Sequence, residues 1–384
     1  MNIDRYIRCA IATAVLMAAA MLPSCGSDDS RNLAVPAQSG VSVGFRISLG
    51  ELGDRTTRAG GYDDGRSTEF ENYIDFLGSD YCVMFFDTDN RYLATFRPTD
   101  LIPIEDMFNS KYYEAIGKID WTSSESFPSD FKVVIMANWR HSYPSAPVKG
   151  QTTIGDICTS VESRYDYVAP FVLSTDNTIP MYGVKRYEGV SFTPDMLTYL
   201  GTICMLRAMA KVEVDFPDNG KDWTIESVDL HRYNRVGFCA PDKVYDESEY
   251  VKGNYDGDYV DEIHIVGDVA SDGRLPFRRI ADGRYIIYVP EYRNTADGKS
   301  RADDAAEIVV KFEERQDKEY TIDFKYYENP PEDCAVGDPF DIRRNYYYRF
   351  SISKSIEYDE DLKISIDVDP YDIYDLGPVF GVDK

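Results

Sequence analysis

The residue best placed to do chemistry is Cys25. Arg5 and Arg8 give the chain a positive start, residues 9–22 are apolar and rich in small side chains, and Leu22-Pro23-Ser24-Cys25-Gly26 closes that run. This is the three-part plan of a cleaved export signal, with an apolar centre too short to span a bilayer as a mature helix. A cysteine directly after a small residue at the cut is the lipobox arrangement, in which the thiol is acylated and becomes the new N-terminus. An ordinary secretory signal with a cysteine beside the cut is the alternative reading. Either way the protein is expected to be exported, and acylated Cys25 would tether it.

The remaining reactive side chains point to little chemistry. His141, His231 and His264 are far apart, and none has a second histidine at metal-ligand spacing, so a zinc enzyme is not expected. Gly40-Val41-Ser42-Val43-Gly44 matches the Gly-x-Ser-x-Gly pattern. A nucleophile elbow needs a strand before the serine and a helix after it, whereas this run opens a strand. No phosphate-cradling loop or dinucleotide fingerprint is present. The sequence is therefore not expected to be an enzyme, and no cofactor or metal is expected. Asp256, Asp258 and Asp261, and Asp297 with Asp303 and Asp304, offer hard oxygen ligands for calcium, but hairpin turns use Asp and Gly for backbone reasons alone. The 30 tyrosines and 19 phenylalanines invite a glycan-binding reading through ring stacking, yet most fall at alternating positions where strands favour aromatics anyway.

Composition narrows the partners. The 384 residues suffice for two domains, and a net charge of −26 argues against nucleic acid or an anionic membrane surface as an electrostatic partner. Cys82, Cys158, Cys204, Cys239 and Cys334 follow Cys25 without any Cys-x-x-Cys pair, so neither a disulfide framework nor a zinc site is indicated. Cys82 and Cys204 sit in apolar runs and read as core residues.

The elements around these residues read as strands. After a polar tether, Val41, Val43, Phe45, Ile47 and Leu49 alternate with small or polar residues, the period-two pattern of a half-buried strand. Residues 53–61 (Gly53-Asp54-Arg55-Thr56-Thr57-Arg58-Ala59-Gly60-Gly61) follow with no apolar side chain to bury, the kind of loop a protease enters. Further strands are expected over 81–86, 92–96, 112–121 and 131–137, with a short helix over 153–161. Thr193-Pro194-Asp195 reads as another helix start. Residues 206–216 alternate again and end at the turn Pro217-Asp218-Asn219-Gly220, the expected domain boundary. Beyond it, Asp-Gly pairs at Asp256, Asp272, Asp282 and Asp297 mark hairpins between strands over 223–230, 285–289, 308–312, 346–352 and 362–368. The expected fold class is all-β with minor helices, in two tandem β-sandwiches. The expected division is a signal peptide (1–24), a lipidated tether with an N-terminal strand (25–58), and domains over 59–216 and 217–384.

Several segments, in order, resemble the fimbrillin family, the FimA-type and Mfa-type subunits of lipoprotein-derived (type V) fimbriae and their anchor paralogues. They are Ile179-Pro180-Met181-Tyr182-Gly183, Leu206-Arg207-Ala208-Met209-Ala210-Lys211-Val212-Glu213-Val214, the spacing Glu71-x-x-Ile74 with Val83-x-x-Phe86, Arg344-Asn345-Tyr346-x-Tyr348, and Leu376-Gly377-Pro378-Val379-Phe380-Gly381. Ser27-Asp28-Asp29 is similar to the acidic tag that sends lipoproteins of some anaerobic Gram-negative bacteria to the outer surface.

The resemblance implies two transthyretin-like β-sandwich domains and a structural subunit of a surface fimbrium, or pilus, that supports adhesion. It implies an outer-membrane lipoprotein precursor, palmitoylated at Cys25, and cleavage by an arginine-specific protease behind an N-terminal strand. Here that cut would fall between Arg58 and Ala59, or after Arg55. Loss of the strand carrying Val41, Val43, Phe45, Ile47 and Leu49 opens a groove, which a C-terminal donor strand fills by strand exchange, with Ile373, Leu376, Val379 and Phe380 as its anchors. The implied partners are other fimbrial subunits in a homo- or heteropolymer, the outer membrane through the lipid, and host or bacterial surface receptors. An uncleaved anchor subunit of the same family and a surface glycan-binding lipoprotein stand as alternatives.

Overall fold

The computed structural model describes residues 40–372, apart from 50, 53–69, 76–80, 105–109, 111, 122–125, 140–146, 159–162, 194, 243, 247–248, 253–272, 328–329, 331–333 and 355–361. The first strands are β1 (Val41–Ser48), the two-residue β2 (Glu51–Leu52), β3 (Tyr81–Phe86), β4 (Tyr92–Pro103), β5 (Tyr112–Ile119) and β6 (Phe131–Ala137). β7 (Arg164–Asp166), β8 (Met181–Tyr187), β9 (Thr198–Cys204), β10 (Leu206–Arg207) and β11 (Ala210–Asp215) follow. Then come β12 (Ile225–His231), β13 (Val236–Phe238), β14 (Arg274–Pro276), β15 (Arg278–Ala281) and β16 (Arg284–Val289). β17 (Glu307–Phe312), β18 (Tyr320–Asp323), β19 (Tyr346–Lys354) and β20 (Leu362–Asp372) complete the set. The all-β expectation holds.

Eight strands form one sheet in the order β10-β8-β6-β3-β4-β5-β1-β9, and six form a second in the order β15-β16-β11-β19-β20-β2. A four-stranded sheet, β14-β12-β17-β18, and the pair β13-β7 complete the ladders. The first sheet buries one face of β1, β3, β5 and β6 in a large core through Phe45, Val83, Phe85, Ala115, Phe131 and Val133. Its far end is covered on the other face as well, where Met84, Phe86, Val134, Tyr182 and Leu206 pack against Ile154 and Ile157. That double burial explains why β6, Phe-Lys-Val-Val-Ile-Met-Ala, reads as a continuous apolar run rather than an alternating one.

Three local expectations meet the structure differently. The short helix is present at Ile154–Cys158, and it starts with a reciprocal cap: Thr153 N–H donates to Asp156 Oδ2 at 2.9 Å and Asp156 N–H to Thr153 Oγ1 at 3.2 Å. The helix start at Thr193 is absent, because the chain bends there, with Asp195 at φ 61°, and enters β9. Capping residues suit a turn as well as a helix, and no apolar period of 3.6 follows these.

The alternating segment 206–216, read as the end of the first domain, is divided between sheets. β10 pairs with β8, whereas β11 lies between β16 and β19. Alternation fixes which face of a strand is buried, not which neighbour it finds. The side of β11 away from Val212 and Val214 is charged yet buried: Lys211 pairs with Glu71, Glu213 with Arg284, and Asp215 with Arg349. Of the Asp-Gly pairs, Asp282-Gly283 forms the tight β15–β16 turn, with Gly283 at φ +67° and Phe216 O only 2.2 Å from where a Cβ would stand. Asp297-Gly298 instead closes a loop in which Asp297 Oδ1 accepts from the backbone N–H of Lys299 and Ser300. Those donors hold the Asp297 carboxyl below its usual range. The pairs at Asp256 and Asp272 lie outside the described residues.

Candidate functional site

The candidate site is the slot that β1 occupies. β1 is not an edge strand: it runs antiparallel to β5, from Val41 opposite Ile119 to Ser48 opposite Tyr112, and parallel to β9 on its other side. Its alternation sends Val43, Phe45, Ile47 and Leu49 into the core, all of them buried. Burying four such side chains is worth roughly 6–12 kcal/mol, an upper figure before ordering costs. Removing β1 would therefore expose an apolar trough flanked by two unpaired ladders, those of β5 and β9, which is a template for another strand.

Polar contacts fix the strand's identity and its end. Arg46 is only 3% exposed, and its guanidinium meets Glu114 Oε1 on β5 at 2.9 Å through both Nε and the terminal nitrogen. Tyr199 Oη on β9 donates to the same carboxylate at 3.3 Å, and Tyr112 lies under the Arg46 cation, 5.9 Å away. At the far end, Ser48 O accepts from Met205 N–H at 2.8 Å. Leu49 O accepts from the buried guanidinium of Arg207 at 2.9 Å. Arg207 also donates to Asn72 Oδ1 and shares Asn345 Oδ1 with its own backbone N–H.

Residues 70–75, which follow Arg55 and Arg58 in the sequence, are held by contacts outside β1. Glu71 and Lys211 form an ion pair at 3.1 Å with side chains 1% and 0% exposed. Tyr113 Oη donates to Asn72 O at 2.9 Å, and Asn138 Nδ2 donates to Tyr73 O at 2.8 Å. A cut in the preceding loop would thus leave residues 70–75 docked. Just after β1 in the sequence, β2 pairs antiparallel with the end of β20, Glu51 opposite Asp372 and Leu52 opposite Tyr371.

Of the residues singled out from sequence, Val41, Val43, Phe45 and Ile47 lie in β1 and Leu49 directly follows it. Cys25, Arg55, Arg58 and Ala59, and Ile373, Leu376, Val379 and Phe380, lie outside the described residues. Arg46, Glu114, Arg207 and Asn345 were not anticipated in the site. Arg46 and Glu114 occupy the polar phase of two alternating strands, where a charge ordinarily means solvent, and only their cross-strand register reveals the pair.

Ser42 lies within β1, with no helix after it. Burial pushes the Cys158 and Cys239 thiols well up, so neither is a reactive thiolate. Among the described residues no group of three His, Cys, Asp or Glu could hold a metal ion, and no helix is long and apolar enough to cross a membrane.

The sequence matches no family model and no curated protein. The structure does have counterparts. The tip fimbrial protein Mfa3 from Porphyromonas gingivalis, solved with a C-terminal truncation, is similar at 12% identity and a TM-score of 0.54, over 86% of this chain and 100% of that one. The chain has a fimbrial-protein fold. Looser similarity extends to a fimbrial assembly protein from Parabacteroides distasonis, at 13% identity over 85% of this chain and 99% of that one, TM-score 0.44. A fimbrilin from Porphyromonas gingivalis is similar at 10% identity over 86% and 98%, TM-score 0.45.

Proposed function

We propose that the protein is a structural, non-enzymatic subunit of a surface fimbrium that supports adhesion. It is exported as a lipoprotein acylated at Cys25, carried to the outer membrane, and matured by cleavage after Arg58 or, as a second choice, after Arg55. Assembly follows by strand exchange, with other fimbrial subunits as partners. The shared fold with a tip fimbrial protein supports the class. The observation that carries the mechanism is β1 itself. It is an interior strand whose loss would leave two unpaired ladders, and the sequence that follows it carries Arg55 and Arg58 among residues with no apolar side chain to bury. The C-terminal segment with Ile373, Leu376, Val379 and Phe380 is the proposed donor. In this reading the molecule has two β-sandwich domains, over 59–216 and 217–384.

The test is N-terminal sequencing of the surface form, with polymer formation followed on denaturing gels without boiling. A mature protein that begins at Ala59 and runs as a ladder is the expected result. A surface form that keeps acylated Cys25 and stays monomeric would place the chain with uncleaved anchors instead.

A further inference from the structure

The slot under β1 carries a charge requirement that its apolar lining hides. Glu114 reaches into the slot from β5 with its side chain 14% exposed. Its partners there are Arg46 at 2.9 Å and the weaker Tyr199 hydroxyl at 3.3 Å. While β1 is in place the carboxylate is neutralised by a guanidinium on the strand itself. Once β1 has left, the carboxylate faces water in the open trough. The next strand to enter must cover it again. A strand with an apolar residue at that position would bury a carboxylate with no cation, and an acidic residue would add repulsion. The four apolar positions accept many sequences; this one polar position does not.

The chain's own tail fails the requirement in every register. From Tyr371 the sequence is Tyr-Asp-Ile-Tyr-Asp-Leu-Gly-Pro-Val-Phe-Gly-Val-Asp-Lys, with acids at Asp372, Asp375 and Asp383; its one cation, Lys384, follows Asp383 and Gly381, where the slot needs apolar residues one and three positions away. We infer that the emptied groove selects a strand bearing arginine or lysine at the place of Arg46, with apolar residues one and three positions away on either side, and that its occupant comes from a different subunit, not from a second copy of this chain. The inference rests on the strand-exchange reading and deepens it: the groove favours a heteropolymer.

The probe is a set of labelled peptides offered to the full chain after limiting trypsin and quenching of the protease, with binding read by fluorescence anisotropy. The set comprises residues 41–49, the same peptide with Arg46→Lys and with Arg46→Met, and residues 371–380. The native and lysine peptides should bind within about tenfold of each other. The methionine peptide should bind at least about 30-fold more weakly, the penalty for leaving a buried charge unpaired. In a Glu114→Gln chain the gap between the arginine and methionine peptides should close, and the 371–380 peptide should bind more tightly than it does to the wild type. The inference is overturned if all peptides enter the groove with no preference for a cation, or if the preference survives Glu114→Gln. If not even the native 41–49 peptide enters the cleaved chain, strand exchange itself fails, a result distinct from uptake without selectivity. The peptide series is read on the unaltered chain, so it decides the question even if Glu114→Gln folds poorly.

Discussion

Arg207 donates from its buried guanidinium to the carbonyl oxygen of Leu49 at 2.9 Å, tying the residue just after the first strand to a point 158 residues further along the chain. The same side chain reaches Asn72 and Asn345, so one cation joins the residue after β1, the segment 70–75 and the residue before β19. Hydrogen bonds to a charged group are worth roughly 1.5–3 kcal/mol each. They also define where a strand in this slot must end, because a guanidinium accepts nothing and needs a carbonyl in place.

Arg207→Met should therefore destabilise the folded protein by about 2–4 kcal/mol, through the polar partners it leaves buried. Amide exchange over residues 41–49 should rise more than exchange elsewhere in the first sheet. Arg207→Lys should not restore it, since a single ammonium cannot span three acceptors that a planar fork reaches. Urea melts and exchange mass spectrometry check both points; unchanged protection of residues 41–49 would mean that Arg207 does not hold β1.

The ion pair of Glu71 and Lys211 should behave as a buried pair with no water to screen it, both side chains being at most 1% exposed. Removing one partner, as in Glu71→Met, should cost about 3–5 kcal/mol, whereas Glu71→Met with Lys211→Met should recover most of that loss. A double-mutant cycle in urea measures the coupling. Additive losses would show that the pair contributes no more than two separate packing positions.

Much of this architecture was legible in the sequence, for reasons particular to each strand. β3 and β6 coincide with the strands expected over 81–86 and 131–137 because turns with asparagine, aspartate or serine bound their apolar runs. β1 was legible because its small and polar residues mark one face cleanly. β9 and the outer half of β4 were not, since Thr198–Cys204 mixes apolar and polar residues without a steady period and Pro98 and Pro103 interrupt β4. The slot itself was hidden for a different reason. That β1 sits between β5 and β9 depends on partners 64 and more residues away, and single-strand alternation carries no information about them. Arg46 and Glu114 look like two solvated charges until that register sets them opposite each other.

His231 provides a pH test in the four-stranded sheet. Its neighbours across the ladders are Arg274 on β14 and Glu307 on β17, and Asp229 and Glu319 also face it. Burial first, and then the Arg274 charge, hold its pKa below the ordinary value of 6.5. Glu307, 3.8 Å from Nδ1, pulls the other way, but Arg232 and Arg301 share that carboxylate. The folded state thus favours neutral imidazole and binds fewer protons than the unfolded chain between the depressed value and 6.5. The contribution to stability is complete above 6.5 and is lost as the pH falls through that window. A His231→Gln variant should show a flatter melting curve over that interval, and imidazole resonances in the wild type should titrate below 6.5. A midpoint above 6.5 would mean that Glu307 outweighs burial.

The pairing of β2 with β20 predicts that emptying the groove and freeing the tail are one event. Glu51 and Leu52 lie on the same piece as β1 once the chain is cut after Arg55 or Arg58, and they pair with Asp372 and Tyr371, at the start of the proposed donor segment. A nick alone should change little, because β1 keeps its buried side chains and both of its ladders. When a competing strand displaces β1, β2 must leave with it, and the end of β20 loses its last neighbour. Exchange mass spectrometry over residues 362–372 should therefore show full protection in the intact chain and in the nicked chain. Protection near Tyr371 should drop only after an excess of the 41–49 peptide, which lacks β2, has replaced the native strand. Loss of protection on nicking alone would mean that the loop, not β1, holds β2 in place. Protection that persists after replacement would show that the tail is held by contacts other than β2, and the two steps would then be independent.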